Sequence, residues 1–282
     1  YGLDFVLVAA ADSSGAAVNP AGLDMARVRD LKLARQGVAS YPGVGRAGMS
    51  ALEMVQTAPA DLLVDAAPTN LANGEPGLSC VRAALQRGQH VVMADKGPLV
   101  LAFAELTALA QKRGVSLLYS GTVAGGLPTV NIGVRDLAGS GVTRVEGIFN
   151  GTTNHILTRM DQEGLSYEQA LRGAQQAGIA EADPTLDVDG WDAANKLVII
   201  ANSVLRRPTT LSDLQVEGIR HITADDLHQA RAQGKVIKLL AVAEKRGETW
   251  DLAVRPTWLD RNHHMARTGQ WDMGVVYYTD YM

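Results

Sequence analysis

The chain is poor in the residues that build covalent or aromatic frameworks: it has one cysteine, three phenylalanines, and aromatics at 5% of 282 residues. A lone Cys80 excludes an internal disulfide and a four-cysteine zinc site, and it points to a reducing compartment. No apolar run approaches the roughly 18 residues of a membrane span, and the first residues lack the basic-then-apolar pattern of a secretion signal. The reading is therefore cytoplasmic, with no membrane partner. Neither sign of charge dominates. Lysine plus arginine number 26 against 30 for aspartate plus glutamate, a net charge of -4, without the basic excess that nucleic-acid binding needs. The histidines show no nucleophile partner, and neither His-Glu-x-x-His nor Gly-x-Ser-x-Gly occurs. What is present is a globular composition, 46% apolar and 20% charged, on a chain long enough for about two domains. Small molecules are the expected partners.

The first half repeats a rhythm of short apolar run, polar turn and amphipathic stretch, as successive strand-helix units of a parallel sheet do. Residues 5–11 form the first run, ending at the turn Asp12-Ser13-Ser14-Gly15, and residues 23–36 read as the following helix. A second run, 61–67, ends on Ala67 before Pro68. Residues 77–86 and 101–113 read as helices, 90–94 and 115–119 as strands. From Gly121 glycines crowd the sequence, and the texture changes. Residues 1–121 are expected to form a doubly wound, Rossmann-like α/β unit and residues 122–282 a second, α+β unit. In the second, Ser166-Tyr167-Glu168-Gln169 has the spacing of a helix capping box. Residues 191–205 are apolar on nearly every side, the pattern of a buried helix, and 236–244 and 250–255 read as strands of a separate sheet.

Four stretches could carry chemistry. Gly43-Val44-Gly45-Arg46-Ala47-Gly48 matches a dinucleotide fingerprint, but the mechanism requires a buried strand just before the first glycine. Residues 36–42, with their proline, are a poor one, so an ordinary glycine loop is expected. Asp12 fits better as the acidic residue that meets an adenosine ribose, which normally lies about 20 positions after the glycine loop. Only eleven residues precede it, so the first strand and glycine loop are expected upstream of Tyr1. Lys96, in Ala94-Asp95-Lys96-Gly97-Pro98, follows a buried strand, where doubly wound folds place ligands.

The richest stretch is Glu181-Ala182-Asp183-Pro184-Thr185-Leu186-Asp187-Val188-Asp189-Gly190-Trp191-Asp192, followed by Lys196. Asp192 and Lys196 are one helical turn apart on one face. Lys196 lies among apolar residues, and a buried ammonium is tolerated only with partners or a function. A calcium-like acidic loop or a capped helix start remains the alternative. Lastly, Asn150-Gly151-Thr152-Thr153-Asn154 pairs a strand end with hydroxyls and a helix start, whose amides suit a carboxylate; a plain N-cap is the alternative.

These residues together resemble homoserine dehydrogenase over essentially the whole chain. The strongest match is Ala174, Gly178, Ile179, Ala180, Asp183, Pro184, Asp187, Val188, Gly190, Asp192 and Lys196, each at the spacing of the family signature. Supporting stretches are Asp12-Ser13-Ser14-Gly15, Lys96-Gly97-Pro98-Leu99, Gly121-Thr122-Val123-Ala124-Gly125-Gly126-Leu127-Pro128 and Gly147-Ile148-Phe149-Asn150-Gly151-Thr152-Thr153-Asn154. The resemblance implies interconversion of L-homoserine and L-aspartate 4-semialdehyde with NADP or NAD, in the biosynthesis of threonine and methionine, usually by a homodimer. By similarity Lys196 and Lys96 handle the proton and polarise the reacting oxygen. Glu181 and Asp192 hold and orient the substrate ammonium, with Asp187 in the same site, and Gly151 and Thr152 contact its carboxylate. Asp12, Ser13, Ala67 and Lys96 contact the cofactor. The backbone of Ser120, Val123, Gly125 and Leu127 corresponds to a loop that in some members holds a monovalent cation such as sodium.

A hydride transfer from a carbinol carbon needs a base for the hydroxyl proton, and a lysine suits that task. Nearby carboxylates favour its ammonium form, so Lys196 is expected to act partly through hydrogen bonding and electrostatics. The sequence departs from the family at three places. Asp95 stands where asparagine is usual, His264 where proline is common, and a C-terminal segment returning to the nucleotide unit is expected beyond Met282. Two alternatives follow: a non-catalytic amino-acid sensor or partner subunit on a dehydrogenase fold, and an NAD(P)-dependent enzyme acting on another small amino acid.

Overall fold

The computed structural model describes residues 2–281. Their contacts divide the chain into two units, one ending at Tyr119 and one starting at Ser120. The first unit holds two small sheets. β4 (Leu62–Asp65), β5 (His90–Met93) and β6 (Leu117–Leu118) run parallel in that order, a slice of a doubly wound sheet. Helices α3 (Gly77–Gln86) and α4 (Gly97–Arg113) make the crossovers. They carry the buried Val81, Leu85, Leu99 and Leu106, each contributing roughly 1.5–3 kcal/mol of apolar burial.

The other sheet is antiparallel: β1 (Ala9–Asp12), β2 (Gly15–Val18) and β3 (Gly45–Ala47). This corrects the expectation that residues 5–11 form a strand of the parallel type. Only the end of that run is a strand, and the tight turn at Ser13-Ser14 folds it straight back on β2 as a hairpin. Helix α1 (Met25–Leu33) follows, shorter than expected, and none of its residues is buried. The stretch 43–48 also settles into this sheet. Gly45 lies in β3, where a side chain would sit 2.2 Å from the Ala39 carbonyl oxygen. The glycine there admits close approach of the backbone turn at 38–41 to the strand, and the fingerprint reading falls away as expected. Helix α2 (Ala51–Thr57) begins only beyond it, behind a Ser50–Glu53 capping box.

The second unit is built on a five-stranded sheet in the order β11-β7-β9-β10-β8. These are β7 (Val142–Ile148), β8 (Gln215–Val216), β9 (Lys235–Arg246), β10 (Thr249–Asp260) and β11 (Gly274–Thr279), antiparallel except for β10 with β8. A short α5 (Thr129–Asn131) precedes the sheet. Helices α6 (Gly151–Glu163), α9 (Trp191–Ser203) and α10 (Ala224–Ala232) pack against β9. On α9 Leu197, Val198, Ile199 and Ile200 are wholly buried, so the expected core helix is present. Helix α7 (Tyr167–Gln176) opens on the expected Ser166–Gln169 capping box, and α8 (Thr185–Val188) is a single turn before α9. Among the described residues no helix is long and apolar enough to cross a membrane.

Candidate active site

The site grows from two adjacent helix starts. Strand β7 runs out at Ile148, and Asn150, in extended conformation, caps α6: its Oδ1 accepts from the Thr153 amide at 2.8 Å. With its oxygen used in this way, its amide nitrogen faces α8 and α9. It donates to Asp187 Oδ1 at 2.7 Å and to Asp192 Oδ2 at 2.9 Å. Helix α9 starts behind Gly190, whose φ of 86° is a left-handed conformation that side chains disfavour. A side chain there would also press on Val216 and Val254 at 3.3 Å. That start sets Asp192 in the first turn, where a carboxylate is favoured by the helix dipole, and Lys196 one turn further on. Lys196 Nζ donates to Asp192 Oδ2 at 2.6 Å and to the Phe149 carbonyl at 2.5 Å. The two side chains are only 12% and 11% exposed.

The result is a nearly dry chain of opposed charges and one bridging amide. Burial pushes the Asp187 carboxyl up, and Asp192 adds to the effect, while Asn150, Thr152 and Lys196 oppose it. Of the five carboxylates between 181 and 192, the structure therefore brings Asp187 and Asp192 to the lysine. Asp183 instead accepts from the Thr185 amide at the start of α8, and Asp189 pairs with Arg220. Glu181 is exposed, and its backbone carbonyl accepts from Gln175. Among the described residues no group of His, Cys, Asp and Glu could hold a metal ion, so the calcium-loop alternative finds no support there. Gly151 opens α6 with no atom within 4 Å of where a side chain would begin. Beside it Thr152 Oγ1 donates to the Ile179 carbonyl at 3.3 Å. Sequence reasoning noticed Asn150 as a cap but missed it as the bridge. The only signal available was an amide side chain, able to donate while it caps, beside a cluster of carboxylates.

In the first unit Lys96 caps α4, directly after Asp95 and buried β5. Ala67 lies at the neighbouring strand end, its amide donating to Asp65 Oδ1 at 3.2 Å. Small residues and an ammonium at parallel strand ends fit the phosphate and nicotinamide portions of a dinucleotide. Ser13 is exposed at the β1–β2 turn. Asp12 is more committed: Oδ1 accepts from the Ser14 amide and hydroxyl, and Oδ2 from the Val38 amide and Lys32. Burial raises its carboxyl, but these four donors outweigh burial and hold it well below the usual carboxylate range. A carboxylate offers about four acceptor positions, so a ribose there would have to displace a present donor.

The segment from Ser120 winds tightly, with Ala124 and Gly125 both left-handed. The Ser120 carbonyl accepts from Val123, and the Ala124 carbonyl from Leu127. Those of Val123, Gly125 and Leu127 take no such loop hydrogen bond among the described residues. Hard carbonyl oxygens of this kind suit a monovalent cation.

Comparison with known proteins fits this geometry. The family model for homoserine dehydrogenase matches residues 128–282. Homoserine dehydrogenase of Methanocaldococcus jannaschii is 41% identical over 237 residues, covering 84% of this chain and 70% of that protein. The NAD(+)-dependent homoserine dehydrogenase of Pseudomonas canavaninivorans is 38% identical over 253 residues, covering 89% and 71%. A crystal structure from Archaeoglobus fulgidus, provisionally named a homoserine dehydrogenase, superposes with a TM-score of 0.87 at 36% identity, covering 98% of this chain and 80% of that one. With a family model that spans Asn150, Asp187, Asp192 and Lys196, and relatives matched along most of its length, the chain belongs to the homoserine dehydrogenase family.

Proposed function

We propose that Asn150, Asp187, Asp192 and Lys196 form the substrate end of the site at which this enzyme interconverts L-homoserine and L-aspartate 4-semialdehyde with NAD(P). The observation that carries the reading is Lys196. Its nearly buried ammonium has three N–H groups, of which one meets Asp192 and one the Phe149 carbonyl, leaving a third for an oxygen of the substrate. Bound NAD(P) supplies the hydride donor or acceptor. As the aldehyde is reduced, Lys196 stabilises the negative charge growing on its oxygen and gives that oxygen a proton; on oxidation the amine takes the hydroxyl proton back. Asp192 anchors the Lys196 amino group, and Asn150 keeps Asp192 and Asp187 from swinging away.

The remaining assignments belong to the same reading. Asp187, with Asp192 and Glu181, receives the substrate ammonium. Gly151 and Thr152 present the amide end of α6, whose dipole favours a carboxylate. Lys96 is the second polarising lysine, and Asp12, Ser13, Ala67 and Lys96 contact the cofactor. The unit ending at Tyr119 then binds the nucleotide, and the unit from Ser120 is catalytic and dimerising. The carbonyls of Ser120, Val123, Gly125 and Leu127 would hold a sodium-like cation. A cytoplasmic location agrees with the lone, buried Cys80.

The homodimer that the family resemblance implies would use the sheet of the second unit. One face carries a groove of about 360 Å³ lined by Arg144, Glu146, Glu244, Arg246, Asp251 and Arg255. Most of these charges pair within the chain, Arg144 with Glu146 and Glu244 and Arg246 with Glu244 and Asp251, and light scattering on the purified protein tests whether a second copy covers this face. For the activity, the full-length protein is given L-homoserine with NAD or NADP and the reduced nicotinamide is followed by absorbance. Homoserine-dependent reduction that disappears in Lys196→Met is expected. A folded protein without activity in either direction would move the reading to the sensor alternative.

A further inference from the structure

Two carboxylates outside the cluster around Lys196 are buried more deeply than those within it. Asp65 ends β4 and is 7% exposed; Asp95 follows β5 and is 2% exposed. The parallel register sets them side by side, with the Asp65 carbonyl accepting from the amides of Ala94 at 2.8 Å and Asp95 at 3.5 Å. Each carboxylate uses one oxygen locally: Asp65 Oδ1 accepts from the Ala67 amide, and Asp95 Oδ1 from the Gly97 amide at 2.9 Å. The other two oxygens converge on one spot at the start of α3. A side chain added to Gly77 would lie 2.7 Å from Asp95 Oδ2 and 3.0 Å from Asp65 Oδ2. Asp65 Oδ2 is fully enclosed and has no hydrogen-bond partner among the described residues.

Two anions cannot share such a place without a counter-charge or a proton. The charges that act on Asp65 and on the neighbouring Cys80 of α3 are those of Asp95, Asp65 and Glu75, all acids. The Cys80 thiol is pushed up to about 11 by burial, with the charges of Asp65 and Glu75 adding to it. Burial, opposed by the Ala67 amide and reinforced by Asp95, raises the Asp65 carboxyl. We infer that Asp65 keeps a proton at neutral pH and donates it through Oδ2 toward Asp95 Oδ2, and that this pair fixes the turn from which Lys96 and α4 emerge. Asp95 then acts as a positioning residue, through the Gly97 amide, for the lysine beside it. Its bearing on catalysis rests on the reading of Lys96 given above; the proton itself does not.

The test uses the full-length enzyme with aspartate labelled by carbon-13, its infrared spectrum recorded at neutral pH. A labelled protonated-carboxyl band is expected in the wild type and is lost in the isosteric Asp95→Asn, whose amide can donate to Asp65 Oδ2. Asp65→Asn, the second variant, loses it as well. A wild type without the band overturns the inference. So does a band that persists in Asp95→Asn, because Asp65 would then be protonated by burial alone. Melting temperature gives an independent readout. A carboxyl raised in the folded state stabilises fully below the unfolded carboxylate value and loses that contribution as pH rises through its folded value. Between those two values the wild type should fall relative to Asp95→Asn by about 2–4 °C per pH unit; parallel curves count against this proton. Loss of the band in Asp95→Asn with unchanged kinetics would keep the proton assignment and remove Asp95 as a positioning residue for Lys96, so the two readings fail separately.

Discussion

Two lysines flank the start of α6, and their surroundings differ in kind. Lys196 meets a carboxylate and one carbonyl, and its side chain keeps 12% exposure. Lys238, on β9, is 5% exposed and donates to Asn154 Oδ1 at 2.7 Å, Thr158 Oγ1 at 3.0 Å and the Thr268 carbonyl at 3.0 Å. All three N–H groups of Lys238 are spent on neutral acceptors, whereas Lys196 donates to two acceptors, and in the reading proposed above its third N–H meets the substrate. Asn154 in turn donates to the carbonyls of Gly269 and Asp272, so Lys238 ties β9, the site helix and the segment before β11 together. On that reading, a buried ammonium is a reagent when a donor is left over and a fastener when none is.

The sharpest way to break this contrast is to remove each charge. Lys196→Met should lower kcat about 10²–10³-fold, the range for losing one preorganised donor at a developing oxyanion. The fold should survive, because Asp192 keeps the Asn150 amide; steady-state kinetics alongside circular dichroism checks both. Lys238→Met should do the reverse. It strands three acceptors at roughly 1–3 kcal/mol for each that finds no other donor, so denaturant unfolding should show a loss of about 2–4 kcal/mol. If Lys238→Met instead abolished turnover in a protein of normal stability, the assignment of the two roles would be wrong.

The pH dependence separates them further. Burial lowers the Lys238 ammonium to about 8, with Asp161 opposing the shift. The folded state then holds fewer protons than the unfolded one from about 8 up to the ordinary lysine value near 10.4, so in that window Lys238 makes stability rise with pH. Unfolding free energies of the wild type and Lys238→Met should diverge in favour of the wild type as pH is raised from about 8 to 10. A difference that stays flat would mean that the three acceptors, and not burial, govern its proton.

How much of this was legible in the sequence depended on whether a partner lay nearby in the chain. The Asp192–Lys196 spacing, the buried helix around it and the capping box at Ser166 were readable, because all are local and set by helical geometry. The first hairpin was not. A four-residue apolar strand carries no mark of whether its neighbour runs parallel or antiparallel, and the turn that decides it was read as a strand end with a ribose-binding acid. Lys238 escaped notice for a related reason: its acceptors come from positions 154, 158 and 268, and only packing brings them together. The Asn150 bridge lay between these cases, a visible cap whose second use depended on distant Asp187.

The smallest predicted effect tests the substrate end of α6 against simple helix stability. Gly151 sits at the first position of the helix, and among the described residues a methyl group there would meet no atom within 4 Å beyond its own stretch of helix. Gly151→Ala should therefore leave stability unchanged or raise it by up to about 1 kcal/mol, since alanine orders a helix at lower entropic cost than glycine. If the space above α6 receives the substrate carboxylate, the same methyl group crowds it, and KM for homoserine should rise several-fold while kcat changes little. Such a split assigns that space to the ligand, because no described atom outside the glycine's own stretch of helix lies within 4 Å of it. A variant more stable than the wild type with an unaltered KM would instead place the carboxylate elsewhere, and Thr152 and Gly151 would lose their role together.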